Sequence, residues 1–403
     1  MKTIVLIESC AGGHRKAFMC LFAQACLQNG AKVICLYPEV DEIKEWILIH
    51  AKEYINNVTF INYRLSFKTF KNFGRFNNAF SVLNYWKSCA KFLQNIEKEN
   101  SVKIDLVYFN WIDSQMANYL PASILDLVFT YKWSGLYFHP SIFRTQPKFL
   151  DKNVSFKDID SIFTSKNCVA VTLHDEGISK KYQNRTEKKV ILFPEIADDT
   201  LPNPTHPFPK LVKEKAQNRT IIGIIGLEPY KGALSLIRLT AIANPEKFFF
   251  AFTGVYNKEY ILNLSENEQQ EYLNFIGNLP ENCLWQTGVL QEGEDYNSVF
   301  NSFDIIHIIY KNFYSSSNRL TKAAIFNKLV LANNNGCVGD DVPIYNLGET
   351  ADENNIDEQL QKMEILRKRI LTGNLPYEQW KIYAEKHSTE RLKEKFEELL
   401  NLV

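Results

Sequence analysis

The chain has no excess of charge: its 46 lysines and arginines cancel its 46 aspartates and glutamates. Such a balance creates no long-range field to gather nucleic acid, so any anion must be held by a local group of residues. Cysteines at metal or redox spacing are also missing. The eight that occur (Cys10, Cys20, Cys26, Cys35, Cys89, Cys168, Cys283, Cys337) form no CxxC pair and no zinc spacing. Several lie inside apolar strand or helix patterns, where a thiol packs as a small hydrophobe in a reducing compartment. No two histidines have ligand spacing, so no metal site is expected. Long apolar runs are absent too. The opening "MKTIVLIESC" is too short for a signal peptide, and no stretch is long enough to span a bilayer. A cytoplasmic protein is expected.

What is present is a soluble globular composition, 45% hydrophobic and 23% charged over 403 residues, which suits two domains of ordinary size. The first half alternates short apolar runs with amphipathic segments. "TIVLI" (3–7) has no polar alternation, as in a strand buried on both faces of a parallel sheet. "KVICLY", "DLVYFNW", "GLYFH", "VAVTLH" and "KVILFP" follow, with a helix read through Leu120 and Leu127. Then "DDTLPNPTHPFPKL" (198–211) places four prolines within a few residues, which reads as a linker. Alternation restarts with "TIIGIIG", "KFFFAFTG", "CLWQTG", "DIIHIIY" and "LVLAN". Beyond about residue 354 the chain is charged and helical, with Tyr377, Trp380, Tyr383 and Ala384 on one apolar face. The fold class is therefore α/β, two doubly wound Rossmann-like domains facing each other across a cleft, with ligands at the carboxyl ends of the strands. The expected divisions are 1–200 for an acceptor-side domain, 201–375 for a nucleotide-sugar domain, and 376–403 for a helix returning to the first.

Three turns carry chemistry. In "ESCAGGHRKAF" (8–18), Gly12 and Gly13 allow close approach of a ligand where the first strand meets the first helix, and His14 follows at the same turn. In "GLEPYKG" (226–232), Gly226 ends a strand, Pro229 opens a helical turn, and Lys231-Gly232 stands at the helix N-terminus, a good phosphate clamp. In "YKNFYSSSNRLTKAAIFNKLVLAN" (310–333), Ser316, Ser317 and Asn318 are N-cap types. They precede a helix read through Leu320, Ala323, Ala324 and Asn327, with Arg319 beside them. Taken singly, each turn has a plain alternative: an ordinary strand–helix turn with a surface lysine, or a simple serine cap.

Their order and spacing resemble the GT-B glycosyltransferases, and most closely glycosyltransferase family 4, over nearly the whole chain. "AGGHRKAFMCLFAQACLQNGAKV" is similar to that family's Gly-Gly-His opening, and "KVILFPEIAD" to the close of its first domain. "GLEPYKG" resembles its phosphate-lysine turn. "QTGVLQEGEDYNSVFNSFDIIHIIY" resembles its Gly-Val segment, whose loop, here Val289 and Leu290, lies near the base in the family. The resemblance implies sugar transfer from a nucleoside diphosphate sugar, UDP-linked rather than GDP-linked, to a hydroxyl acceptor. Retention of configuration, no cofactor and no metal are implied with it. Nucleotide contacts would fall on Gly12, Gly13, Gly226, Lys231, Gly232, Val289, Leu290, Ser316, Ser317, Asn318, Arg319 and Lys322. His139, which ends "GLYFH", falls where the family places a histidine near the donor sugar and reacting oxygen, so His14 and His139 are the catalytic candidates.

The chain departs from the pattern at two places. The family's arginine before the phosphate lysine is missing, since Leu227-Glu228 follow Gly226, and Tyr314 and Lys322 stand where its two Glu-x7-Glu glutamates belong. Arg319 and Lys322 are expected to restore the positive charge at the phosphates. Three other readings stay open: an inverting enzyme with His14 as base, a non-catalytic binder of sugar nucleotides or a partner protein, and a sugar nucleotide epimerase. His174, in "TLHDEGI", also ends a strand but at a position nearer the hinge, and His50, His206, His307 and His387 read as structural or solvated. The segment 62–92 has six basic residues, no acidic ones and many aromatics. It suits peripheral contact with the inner face of a membrane or a lipid-linked acceptor, or else a core-packed helix with a solvated basic edge.

Overall fold

A computed structural model describes residues 1–11, 14–65, 74–290 and 292–403. The chain forms two compact units, Met1–Pro194 with Thr389–Val403, and Glu195–Ser388.

The first unit is built on seven strands: β1 (Thr3–Ile7), β2 (Lys32–Tyr37), β3 (Val58–Asn62), β4 (Leu106–Phe109), β5 (Trp133–Leu136), β6 (Cys168–Leu173) and β7 (Val190–Leu192). Their order is β3-β2-β1-β4-β5-β6-β7, and all pairs are parallel. Every residue of β1 is buried, as its unbroken apolar run requires. Trp86, on the helix Asn77–Asn100, fills the core between Phe109, Phe129 and Trp133, with ring centres 4.6, 4.8 and 5.0 Å away. Its indole Nε1 donates to the Gln115 carbonyl at 3.0 Å, which satisfies the one polar atom it buries. The terminal helix Thr389–Leu400 belongs to this unit through Phe396, whose ring lies 5.2 Å from Phe22, 5.3 Å from Tyr108 and 4.9 Å from Phe193.

The second unit has six strands: β8 (Thr220–Ile225), β9 (Phe248–Gly254), β10 (Cys283–Thr287), β11 (Ile305–Ile308), β12 (Leu329–Asn333) and β13 (Gly348–Ala351). They are ordered β10-β9-β8-β11-β12-β13, again all parallel. Gly223 in the middle of β8 leaves room for a ring: a Cβ there would stand 2.1 Å from Phe303. In both sheets the first strand of the unit has neighbours whose connections leave in opposite directions, so each has a switch point, between β1 and β4 and between β8 and β11. Loops leaving the carboxyl ends of such a strand pair diverge and open a crevice.

Several local expectations change. No continuous apolar run marks β3 and β13 in the sequence; both are short, partly exposed edge strands. The helix near 120–127 covers only Ala122–Val128, and Leu127 is exposed at 81%. The proline-rich segment is not all linker: Pro207 takes the first position of the helix Pro207–Ala216, where its missing N–H costs nothing, and His206 caps it by accepting from Phe208 N at 3.3 Å. Asn327 lies past the end of the helix Asn318–Ile325, with a φ of 54°. The helix Tyr377–Lys386 packs in the second unit through buried Trp380 and Tyr383, while Tyr377 is exposed. Among the described residues no helix is long and apolar enough to cross a membrane.

Candidate functional site

In the second unit, the two strands at the switch point deliver opposite halves of one charged cluster. β8 is followed by Gly226, whose φ of 103° is open to glycine and strained for other residues. A single 3-10 turn, Pro229–Lys231, follows, and Gly232 with φ 95° caps the helix Ala233–Ile242. The chain leaving β11 runs through Ser315–Ser317 into the helix Asn318–Ile325 and brings Arg319 back over the same place. A Cβ built on Gly226 would lie 2.9 Å from Arg319 Nη2, 2.9 Å from Glu228 Oε2 and 3.0 Å from Lys231 Cδ. The glycine thus leaves a small space ringed by two cations and one carboxylate.

The electrostatics of this ring are unusual for a surface turn. Lys231 Nζ donates to Glu228 Oε1 at 2.8 Å. Burial, and then the neighbouring Arg319, hold the lysine below its usual pKa against that pairing. Burial opposes the charge of Arg319 as well, but Tyr310, Tyr296 and Glu228 outweigh it and raise its pKa. Arg319 Nη1 and Glu228 Oε2 are both buried with no hydrogen-bond partner. Orphaned buried polar atoms are rare: the Arg319 donor is open to an acceptor such as a phosphate oxygen, whereas the Glu228 oxygen can only accept.

The serines are arranged differently from a simple cap. Ser317 occupies the cap position, but its hydroxyl makes no capping bond and pairs with the Tyr310 hydroxyl at 2.9 Å. The Ser316 hydroxyl donates to Glu195, and Thr321 Oγ1 donates to the Glu195 carbonyl at 2.8 Å. Lys322 is buried. Its ammonium donates to Asn297 Oδ1, lies 3.1 Å from Glu292 and 3.6 Å from Asp198, and stands 4.5 Å above the Tyr296 ring. Unlike Arg319, it is already matched by two carboxylates. Val289 is exposed and Leu290 packs against the core. His307 lies under the Lys231–Gly232 turn with its Nε2 3.2 Å from Ser235 Oγ, and burial followed by Arg319 pushes its pKa down to about 3.

In the first unit, the corresponding switch point gathers Glu8, Arg15, Trp111 and Asp113. Glu8 follows β1 and is 3% exposed; its Oε1 accepts from Cys10 N at 2.9 Å and from Arg15 Nη1 at 2.6 Å. Burial raises its pKa despite Arg15. The Arg15 guanidinium lies 4.5 Å from the centre of the Trp111 ring. Trp111 in turn stacks on Phe138 at 4.0 Å and meets His139 at 5.3 Å. Asp113 accepts from the Phe138 and His139 N–H groups at 2.9 and 2.8 Å, fixing the turn that carries the histidine; burial raises its own pKa. His139 is exposed, as is His14 at the start of the helix His14–Gln28. Gly12 and Gly13 lie outside the described residues, as do 66–73 of the basic aromatic segment. His174 is buried, with Nδ1 3.0 Å from the Phe193 carbonyl.

No motif in the sequence marks Glu8, Arg15, Trp111, Asp113, Glu195 or Glu228 as site residues. For Glu8 a signal existed: a carboxylate directly after the all-apolar "TIVLI" stands at a strand's carboxyl end. Among the described residues no group of three or more His, Cys, Asp or Glu could hold a metal ion.

No protein-family model matches the sequence, and no curated protein matches it significantly. Solved structures do match. HepE of Anabaena, solved with UDP, aligns over the full length of both chains at 14% identity with a TM-score of 0.65. A glycosyltransferase of Rickettsia africae covers all of this chain and 98% of its own, at 16% identity and a TM-score of 0.64. Sucrose-phosphate synthase of Thermosynechococcus elongatus gives 11% identity, the same coverage and a TM-score of 0.67. The chain has the α/β fold of these GT-B proteins.

Proposed function

We propose that this protein is a glycosyltransferase that moves a sugar from a UDP-sugar to a hydroxyl acceptor. The observation that carries this reading is the convergence of Lys231 and Arg319 on the space over Gly226, at the switch point of the second sheet. The fold shared with glycosyltransferases, one of them solved with UDP, gives that cluster its context. In transfer, the bond between the anomeric carbon and the diphosphate oxygen breaks, and negative charge builds on the departing phosphate. Lys231 and Arg319 offset that charge, together with the N-terminal amides of the helix Asn318–Ile325. Two fixed cations supply this stabilisation, so the reaction is proposed to run without a divalent ion.

Retention is the proposed outcome, on the resemblance to family 4, with His139 beside the donor sugar and the acceptor entering near Gly12, Gly13 and His14. The acceptor is a glycan, a lipid-linked sugar or a small molecule. The described part of the basic segment exposes Phe76 and Phe80, with Arg75 5.1 Å from the Phe76 ring, a surface suited to a lipid headgroup region.

The test is turnover of a panel of UDP-sugars and GDP-sugars in EDTA, with the product anomer read by NMR. Single-turnover rates of His14→Ala and His139→Ala then separate the mechanisms. A dead His139 variant beside a near-parental His14 variant fits retention, whereas the reverse fits inversion with His14 as base, worth about two to four orders of magnitude. Binding of UDP without any turnover would identify a non-catalytic binder.

A further inference from the structure

Glu228 has no place in the charge stabilisation just described, yet it is one of the three charged residues around the space over Gly226. It stands three residues before Lys231, across the single turn Pro229–Lys231. In such a turn, side chains at i and i+3 eclipse, so the ion pair at 2.8 Å is built into the backbone path. Pro229 at the first position of the turn restricts that path further. The second carboxylate oxygen of Glu228, buried and unbonded, points into the same space as Arg319 Nη2.

We infer that Glu228 is an internal counter-ion for Lys231, which the phosphates of a bound nucleotide must displace. This rests on the reading of the Gly226–Gly232 turn as a diphosphate site. With Glu228 in place, the two cations and one carboxylate leave a single net positive charge over Gly226. A diphosphate entering there meets a carboxylate of its own sign and a lysine already hydrogen-bonded. Binding is then an exchange of one anion for another. The exchange weakens the hold on nucleotide diphosphate and speeds its release after transfer. It also keeps a half-buried lysine paired when the site is empty, where an unpaired charge would be costly.

Calorimetric titration with UDP, and with inorganic pyrophosphate as a probe independent of the base, tests this on the full chain. Glu228→Gln keeps the shape and removes the charge, and Glu228→Ala removes both. Both should bind UDP and pyrophosphate about tenfold more tightly than the parent, and Lys231→Ala should bind them at least about tenfold more weakly. A damaged fold lowers affinity, so a gain cannot arise from damage; thermal melting confirms that each variant is folded. If Lys231→Ala weakens binding while neither Glu228 variant tightens it, the counter-ion role is overturned and the phosphate turn stands. If none of the variants changes UDP or pyrophosphate binding, the phosphate turn itself is wrong, and the counter-ion role falls with it.

Discussion

Arg15 and Glu8 form an ion pair, Nη1 to Oε1 at 2.6 Å, in which the glutamate side chain is 2% exposed and the arginine side chain 22%. The arginine is held from its other side by the Trp111 ring. The pair joins the end of β1 to the helix His14–Gln28, and through the Trp111 ring that helix also meets the loop after β4 at the switch point of the first sheet.

Removing one partner should show how the burden is shared. Arg15→Met leaves a buried carboxylate uncompensated and should lower the stability of the first unit by about 3 kcal/mol. Glu8→Gln keeps the hydrogen-bonding shape, leaves the partly exposed arginine to water, and should be neutral or mildly stabilising at pH 7. The pH dependence has a definite sign. Because burial raises Glu8 above its ordinary value of 4.5, the folded state holds the proton more tightly than the unfolded chain. Stability from this group is complete below pH 4.5 and is lost as pH rises through the raised value. Urea midpoints of parent and Glu8→Gln across that range should converge at low pH and separate as pH rises.

His307 gives the opposite slope. Its folded pKa of about 3 lies below the ordinary 6.5, so the unfolded chain binds the proton more readily. Stability is complete above pH 6.5 and falls as pH drops toward 3, by at most about 1.4 kcal/mol per pH unit. His307→Phe should flatten the acid limb of the second unit's unfolding profile. An acid limb as steep as the parent's would show that another group causes it.

The two doubly wound domains were legible because buried parallel strands carry continuous apolar runs, as in "TIVLI" and "KFFFAFTG". β3 and β13 escaped since an edge strand needs to bury only part of its side chains. The turn Gly226–Gly232 was legible as a turn from glycine, proline and lysine at fixed offsets, and Arg319 Nη2 lies 2.9 Å from where a Cβ on Gly226 would stand. What spacing could not convey is pairing across the fold. Glu228 reads as a deviation from a motif until its oxygen is placed on Lys231, and Lys322 reads as a phosphate ligand until Glu292 and Asp198 are placed around its ammonium. Likewise Ser317 reads as a helix cap until Tyr310 takes its hydroxyl.

Phe396 should behave as a core residue of the first unit, although it lies 203 positions beyond Phe193 in the sequence. Its ring closes a cluster with Phe22, Tyr108 and Phe193, and is fully buried. Phe396→Ala should cost about 3–5 kcal/mol. The loss should appear in the unfolding transition of the first unit, monitored by amide exchange of β1 and β4, with the β8 and β9 amides unaffected. Equal deprotection of both sheets would contradict the assignment of the terminal helix to the first unit.

Gly226 separates a binding role from a backbone one. Its φ of 103° makes alanine strained there, by about 1–3 kcal/mol. Gly373 offers a comparison, since it also has a positive φ, 68°, but nothing lies within 4 Å of the position its Cβ would take. Alanine at either glycine strains the backbone and should lower the melting temperature of the second unit. Only at Gly226 does the added methyl enter the space between Arg319, Glu228 and Lys231. Gly226→Ala should therefore weaken UDP binding by about tenfold, because the methyl pushes apart the two donors that must close on one anion. Gly373→Ala should bind UDP as the parent does. If both variants lost affinity in step with stability, the space over Gly226 would be a structural gap. If Gly226→Ala retained parental affinity while folded, the diphosphate would have to be held elsewhere.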